Sequence, residues 1–142
     1  MGNRAVITFD KALKPEQFGI YLHWNGGRDS VQAFCDATRE LMKERGADSC
    51  YAPARMIQAI GNFMGGVHSL GIGALSTLDT DNGDNGVYVV DPESLKIIAR
   101  RFSRGSRGEQ KDKEKYSGVL AATLEINRPI FDREKLEQAK AA

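Results

Sequence analysis

The sequence predicts an α+β domain: a mainly antiparallel, partly curled sheet packed by two principal helices, with a helical segment at the C-terminus. Three observations carry that expectation. Short β-branched and aromatic runs recur at Ala5–Phe9, Ile20–Trp24, Val67–Leu78, Val87–Val90 and Leu95–Phe102. Two stretches, 30–45 and 53–64, instead repeat their apolar residues at helical spacing. Two Asn-Gly pairs, Asn82-Gly83 and Asn85-Gly86, stand between the third and fourth β-patterned runs, where a hairpin would reverse the chain. A chain of 142 residues suits one domain with a single core. Within it we distinguish an α+β core at 1–102, a charged flexible loop at 103–115 and a C-terminal helical segment at 116–142.

The elements follow in order. Ala5-Val6-Ile7-Thr8-Phe9 is a first strand, and the loop from Asp10 to Phe18, with Pro15, returns the chain as a hairpin-like partner. In that partner Ile20, Leu22 and Trp24 alternate with Tyr21 and His23. Asn25-Gly26-Gly27 then supplies the positive φ values of a sharp reversal. Asp29 or Ser30 would cap the helix that follows, and Gln32 completes a capping-box pattern with Asp29.

In that helix Val31, Phe34, Cys35, Leu41 and Met42, with Thr38 between, share one face, and Asp36, Arg39, Glu40, Lys43 and Glu44 fall mostly on the other. Gly46 stops it. Pro53 fits the first turn of the next helix, whose stripe is Met56, Ile57, Ile60, Phe63 and Met64, ended by Gly65-Gly66. Gly61 inside it costs about 1 kcal/mol against Ala, which points to close packing with a neighbour.

From Val67 to Leu78 Gly71 and Gly73 alternate with Leu70, Ile72 and Ala74, so one strand face is nearly bare. Val87–Val90 reads as the return strand, Asp91–Ser94 as a turn and Leu95–Phe102 as the last strand. Ser103–Lys115 has no apolar residue and reads as a solvated linker. Val119, Leu120, Thr123 and Leu124 predict a helix over Ser117–Ile126, though their β-branched content leaves a strand open. Arg128-Pro129 would end that segment, and Asp132 would cap a short polar helix through Lys140.

Composition narrows the function classes. Twenty basic residues against nineteen acidic ones give a formal net charge of +1, without the basic excess of a general nucleic-acid binder. No apolar run approaches the roughly 18 residues that cross a bilayer, and the N-terminus lacks the apolar core of a signal peptide. Met1-Gly2 opens like a myristoylation site, but Val6 stands where Ser or Thr is required. A cytoplasmic protein without membrane contact is expected. Its two cysteines would stay reduced there, Cys35 buried on the helical stripe and Cys50 in a loop.

No motif announces catalysis. Read as an EF-hand from Asp79, the sixth position is Asp84 where Gly is needed; read from Asp81, the twelfth is Pro92 where Glu is needed. Asp79–Gly86 is better explained by the turn preferences of Asn and Asp, and no metal or cofactor is expected. Asn25-Gly26-Gly27 matches neither a P-loop nor a dinucleotide fingerprint. A Cys–His pair drawn from Cys35 or Cys50 and His23 or His68 stays open, because such partners meet in space rather than in sequence.

The sharper reading is a ligand site. Trp24, the only tryptophan, offers an aromatic plane beside Asn25 and Arg28, with His23 at the same junction. Arg4, Arg100 and Arg101, with Arg104 and Arg107 further on, supply guanidinium forks that match phosphate geometry. The candidate site is thus Trp24, Asn25, Arg28, Arg4, His23, Arg100 and Arg101. Stacking falls to Trp24, polar selection to Asn25 and phosphate contacts to the arginines.

Gly2-Asn3-Arg4-Ala5-Val6-Ile7, Tyr21-Leu22-His23-Trp24-Asn25-Gly26-Gly27-Arg28-Asp29-Ser30-Val31, Ile57–Gly66 and Asp79–Tyr88 together resemble a family of small phage, prophage and gut-bacterial proteins, mostly without assigned activity. The resemblance covers residues 2–101 and omits the charged loop and C-terminal segment. It implies a protein of the bacterial host cytoplasm that antagonises host defence, including by sequestering a nucleotide signal. The expected function is therefore non-enzymatic capture of a nucleotide-like or phosphorylated small molecule, by a homo-oligomer. One alternative is an interaction module that inhibits a host enzyme through the charged stretch 103–115. A second is a small Cys/His hydrolase or transferase.

Overall fold

Local patterning places most elements where they form, but their arrangement depends on one loop. The computed structural model describes residues 2–104 and 115–141, and for 134–139 the backbone alone. In chain order these are β1 (Ala5–Thr8), β2 (Phe18–Leu22), α1 (Arg28–Leu41), α2 (Tyr51–Met64), β3 (Leu70–Ala74), a 3-10 turn at Leu75–Thr77, β4 (Val87–Asp91), β5 (Lys96–Arg101) and α3 (Tyr116–Ala141). The sheet is open, with order β3-β2-β1-β4-β5. Three neighbouring pairs are antiparallel, as expected, and the central pair β1 with β4 is parallel.

All three helices cover one face of that sheet. Ala5, Ile7, Ile20, Leu22, Tyr88 and Val90 point into a core shared with Val31, Phe34 and Cys35 of α1, Met56 and Ile60 of α2 and Val119 of α3. The strands' alternate residues Val6, Tyr21 and Val87 meet Leu13, Leu75 and Leu78 on the other face, where loops rather than helices cover them. The bare face expected of β3 has a local use. A Cβ on Gly73 would sit 2.9 Å from Thr77 Oγ1, so the 3-10 turn folds back closely there.

Several expectations need correction. The Asn-Gly pairs do not close a hairpin between β3 and β4, because those strands lie on either side of β2 and β1. Gly83 and Gly86 do take the positive φ of 77° and 71° that Asn-Gly favours. The side chain of Asn82 makes four of its hydrogen bonds inside the loop, which therefore crosses the sheet end as a compact unit, and Ser103 donates a fifth from beyond β5.

At the start of α1, Gly27 occupies the capping position and no side chain caps it; Gln32 bonds Arg28 and Asp36 instead of closing a box with Asp29. Only Asn25 of the three turn residues has positive φ, at 55°. Gly61 is less tightly held than expected, since a Cβ there would meet only Leu70 Cδ2, at 3.4 Å.

Pro129 does not divide the C-terminal segment, which is one helix over Tyr116–Ala141. The carbonyl that Pro129 leaves without a helical donor belongs to Glu125, an exposed residue whose backbone water can serve. On the opposite side Asn127 is buried and donates to Ala59 O (3.0 Å) and Thr123 O (2.8 Å), while Asn62 Nδ2 donates to Asn127 Oδ1 (2.8 Å). These bonds lock α3 onto α2 across the proline. Of the charged stretch 103–115, residues 105–114 lie outside the described residues, and so does its assigned role in capturing a host enzyme.

Candidate ligand-binding site

Three stretches distant in sequence meet at one end of the sheet: Gly2–Arg4 before β1, His23–Gly27 after β2, and Asn82–Gly86 before β4. Asn3 is their common point. Its N–H donates to His23 O (2.9 Å), its carbonyl accepts from Gly26 N (2.7 Å), and its side-chain oxygen accepts from Asn85 Nδ2 (2.7 Å). Tyr88, buried beneath, donates its hydroxyl to Gly26 O (2.8 Å). Nothing in the local pattern of Asn3 marks its role, and Asn85 is marked only as half of an Asn-Gly pair, because the groups they join lie some tens of residues apart.

The turn thus held presents Trp24 outward, 43% exposed. Its ring meets His23 edge to face, with centroids 4.9 Å apart and planes at 89°. His23 Nδ1 lies 3.0 Å from the Tyr21 hydroxyl, which fixes the imidazole beside the sheet, and burial pushes the Tyr21 phenol up. Asn25 donates to Ser30 Oγ (3.1 Å), bridging the turn to the first turn of α1. Arg28, the first residue of α1, reaches only Gln32 Oε1, at 3.5 Å, among the described residues. Four of the seven candidates, His23, Trp24, Asn25 and Arg28, therefore share one turn.

The other three are placed differently. Arg4 donates through its backbone N–H (3.0 Å) and its Nε (2.7 Å) to Asp84 Oδ2, with Asp79 at 3.6 Å from Nη1. The bond to Asp84 raises the Arg4 pKa further, and the pair ties β1 to the loop before β4. Arg100 lies over the rings of Tyr88 and Phe102, at 4.4 and 4.3 Å, and donates to Asn85 O at 3.1 Å.

Arg101 follows it on β5 and so points to the opposite face. There it lines a 440 Å³ cleft with Thr80, Asp81, Phe102 and Arg104, and its side chain has no partner among the described residues. The sheet separates Arg101 from Arg100, and strand alternation is the reason. A larger groove of 630 Å³ runs along α3 between Tyr116 and Pro129, and no residue of the 23–28 turn lines it.

The thiols are poorly set for nucleophilic chemistry. Cys35 is fully buried, and desolvation pushes its thiol up to about 12. Cys50 is exposed at the start of α2. His23 N donates to Ser69 O, and the next residue, Leu70, lies near Gly61, eleven residues along α2 from Cys50. At 1.5 Å per residue the helix axis places Cys50 about 16 Å from the point where α2 nears Leu70. In the native protein one thiol, that of Cys50, should react promptly with a disulfide reagent, and Cys35 should react only on unfolding. Two prompt equivalents, or a prompt phase that survives Cys50→Ala, would show that Cys35 is accessible.

Among the described residues no cluster of three or more His, Cys, Asp or Glu could hold a metal ion, and no helix is long and apolar enough to cross a membrane. Fold and turn define an α+β protein with an open sheet and an exposed aromatic–arginine turn at its end. No family model, curated protein or solved structure matches the chain.

Proposed function

We propose that the protein is a non-enzymatic binding protein that captures a small phosphorylated or nucleotide-like molecule at the 23–28 turn. One observation carries this reading: the only tryptophan stands exposed on a braced imidazole, directly before a helix that begins with Arg28 and has no side-chain cap. The first N–H groups of α1 have no helical acceptor, and such a terminus suits an anion. The helix contributes about half a positive charge there, which Asp29 in the same turn opposes. Arg28 therefore has to carry most of the attraction for phosphate. Trp24 would stack on a base or similar plane, and Asn25 would select among its edges.

The resemblance to phage proteins supports a host nucleotide signal as the class of ligand, and sequestration in the host cytoplasm as the outcome. Cyclic nucleotides and ADP-ribose derivatives are accordingly the first probes. Because Trp24 is the only tryptophan, intrinsic fluorescence reads the turn directly. A true ligand should change that emission and, at a hundred times its dissociation constant, stabilise the fold by about 2.7 kcal/mol. Trp24→Ala and Arg28→Ala should abolish the thermal shift while leaving the ligand-free unfolding midpoint nearly unchanged. No shift with nucleotides, cyclic nucleotides or ADP-ribose derivatives would sink the reading.

A further inference from the structure

The two edges of the sheet are guarded unequally. β5, on one edge, carries Lys96, Arg100 and Arg101, and its register with β4 shifts at Val89/Val90 so that Ile98 has no opposite residue. Charges and bulges of this kind prevent an edge from pairing with another chain. β3, on the other edge, reads Leu70-Gly71-Ile72-Gly73-Ala74, without a charge or a proline, and its register with β2 is unbroken.

The bonds that bracket β3 show which of its groups face outward. His23 N donates to Ser69 O (3.0 Å) and Leu75 N to Gln17 O (2.9 Å), so Ser69, Gly71, Gly73 and Leu75 are the residues bonded toward β2. Leu70, Ile72 and Ala74 consequently direct their N–H and C=O groups off the sheet. Among the described residues only Ala74 O is engaged, by the Thr77 hydroxyl at 2.8 Å and by the 3-10 turn that starts from it, so the free outward groups are those of Leu70 and Ile72 and the Ala74 N–H. Ile72 is 58% exposed although Ile20, its neighbour on β2, is fully buried. Of this edge α2 reaches Leu70 but leaves Ile72 open.

We propose that β3 pairs antiparallel with β3 of a second copy of this chain, about a two-fold axis at Ile72. The strand is self-complementary around that residue. Ile72 falls opposite the partner's Ile72, Gly71 opposite the partner's Gly73, and Leu70 opposite the partner's Ala74. The outward residues of each copy thereby meet as hydrogen-bonded pairs, and their apolar side chains adjoin on the helix-bearing face. On the other face Gly71 adds no side chain to clash, since a Cβ there would meet no atom within 4 Å, while the 3-10 turn already lies close over Gly73. The contact is isologous and closes after two copies, because among the described residues the other edge, β5, is guarded by its charges and bulge.

This pairing stands whether or not the 23–28 turn binds a ligand, but it bears on that turn. Ser69 lies beside His23, and in this register it falls opposite the partner's Leu75. The turn then lies two strand spacings, about 10 Å, from the 3-10 turn of the second copy. A pair of short strands buries little against the 1,200–2,000 Å² of stable interfaces, so a dissociation constant of micromolar order is expected.

Sedimentation of the wild-type chain from micromolar to near-millimolar concentration should reveal a species of twice 15.6 kDa. Ile72→Lys should raise the dissociation constant at least tenfold while keeping the wild-type circular dichroism. A wild type that stays monomeric throughout, or a folded Ile72→Lys variant that dimerises as well as wild type, overturns the proposal.

Cross-linking tests the register even if that variant fails to fold. In a Cys50→Ala background, Ile72→Cys should give a disulfide-linked dimer on mild oxidation. Opposed residues of a hydrogen-bonded antiparallel pair lie about 5.5 Å apart at Cα, within the range a disulfide spans. Ser76→Cys, which the register does not oppose to itself, should cross-link far less. Absence of the Ile72→Cys dimer, or equal cross-linking by Ser76→Cys, rejects the two-fold pairing at Ile72.

Discussion

Gly26→Ala is expected to destabilise the protein by about 3–5 kcal/mol, a large part of the 5–15 kcal/mol that holds a typical domain. An added Cβ would lie 2.5 Å from Asn3 O, 2.7 Å from Arg4 C and 2.8 Å from Ala5 Cβ. Backbone forms most of that contact, so no side-chain rotation relieves it. The turn would have to withdraw from the segment before β1, and the bonds joining Asn3 to His23 and Gly26 would open together. The Tyr88 hydroxyl would also lose Gly26 O and be left buried without that acceptor. Gly118→Ala is the control: nothing lies within 4 Å of its added Cβ, and helix propensity predicts a gain of up to about 1 kcal/mol. Urea unfolding of the two variants decides the matter. A loss below about 1 kcal/mol at Gly26 would mean that the three-stretch junction yields easily.

That junction also shows what the sequence could disclose. The burial of Val31, Phe34, Cys35 and Thr38 on α1 follows from a local period, so it was legible from spacing alone. The hairpin-like pair of β1 and β2 was also legible, since the two β-patterned runs are consecutive and joined by a single loop, although a long one. The parallel contact of β1 with β4 was not. Asn-Gly reports a backbone conformation, which Gly83 and Gly86 do adopt, but says nothing about which strands lie beyond the loop. Pro129 misled for a comparable reason: its local cost is real, yet the carbonyl it orphans faces water while Asn127 fastens the buried side.

The candidate site divides along the same line. Trp24, Asn25 and Arg28 are neighbours in sequence, so any tight turn would bring them together. Arg100 and Arg101 are also neighbours, but strand alternation sends them to opposite faces. Arg4 looked spare by count of charges, and its tie to Asp84 spans eighty residues. A charge's availability depends on pairings that composition does not record.

Asn82→Ala should cost about 3–5 kcal/mol, although Asn82 touches neither the helices nor the exposed turn. Its side chain is 2% exposed and makes five hydrogen bonds. Nδ2 donates to Asp79 O and Gly86 O, while Oδ1 accepts from Asp84 N, Gly86 N and the Ser103 hydroxyl. Truncation leaves two buried backbone N–H groups without acceptors, each worth about 1–3 kcal/mol, and frees the loop that positions Asp84 for Arg4. Asn82→Asp separates hydrogen bonding from charge. It keeps the accepting oxygen, loses both donated bonds and adds a carboxylate among Asp79, Asp81 and Asp84, a group to which Arg4 and Arg104 are paired. Burial and like charge should hold the new carboxyl above its unfolded value of about 3.9. A group raised in the folded state favours folding below its unfolded pKa, and that advantage is lost as pH rises through the folded value. The deficit of Asn82→Asp relative to wild type should therefore be smallest near pH 4 and grow toward neutrality, while that of Asn82→Ala stays nearly constant. Urea unfolding across that pH range checks both, and parallel profiles would show that water reaches the centre of the loop.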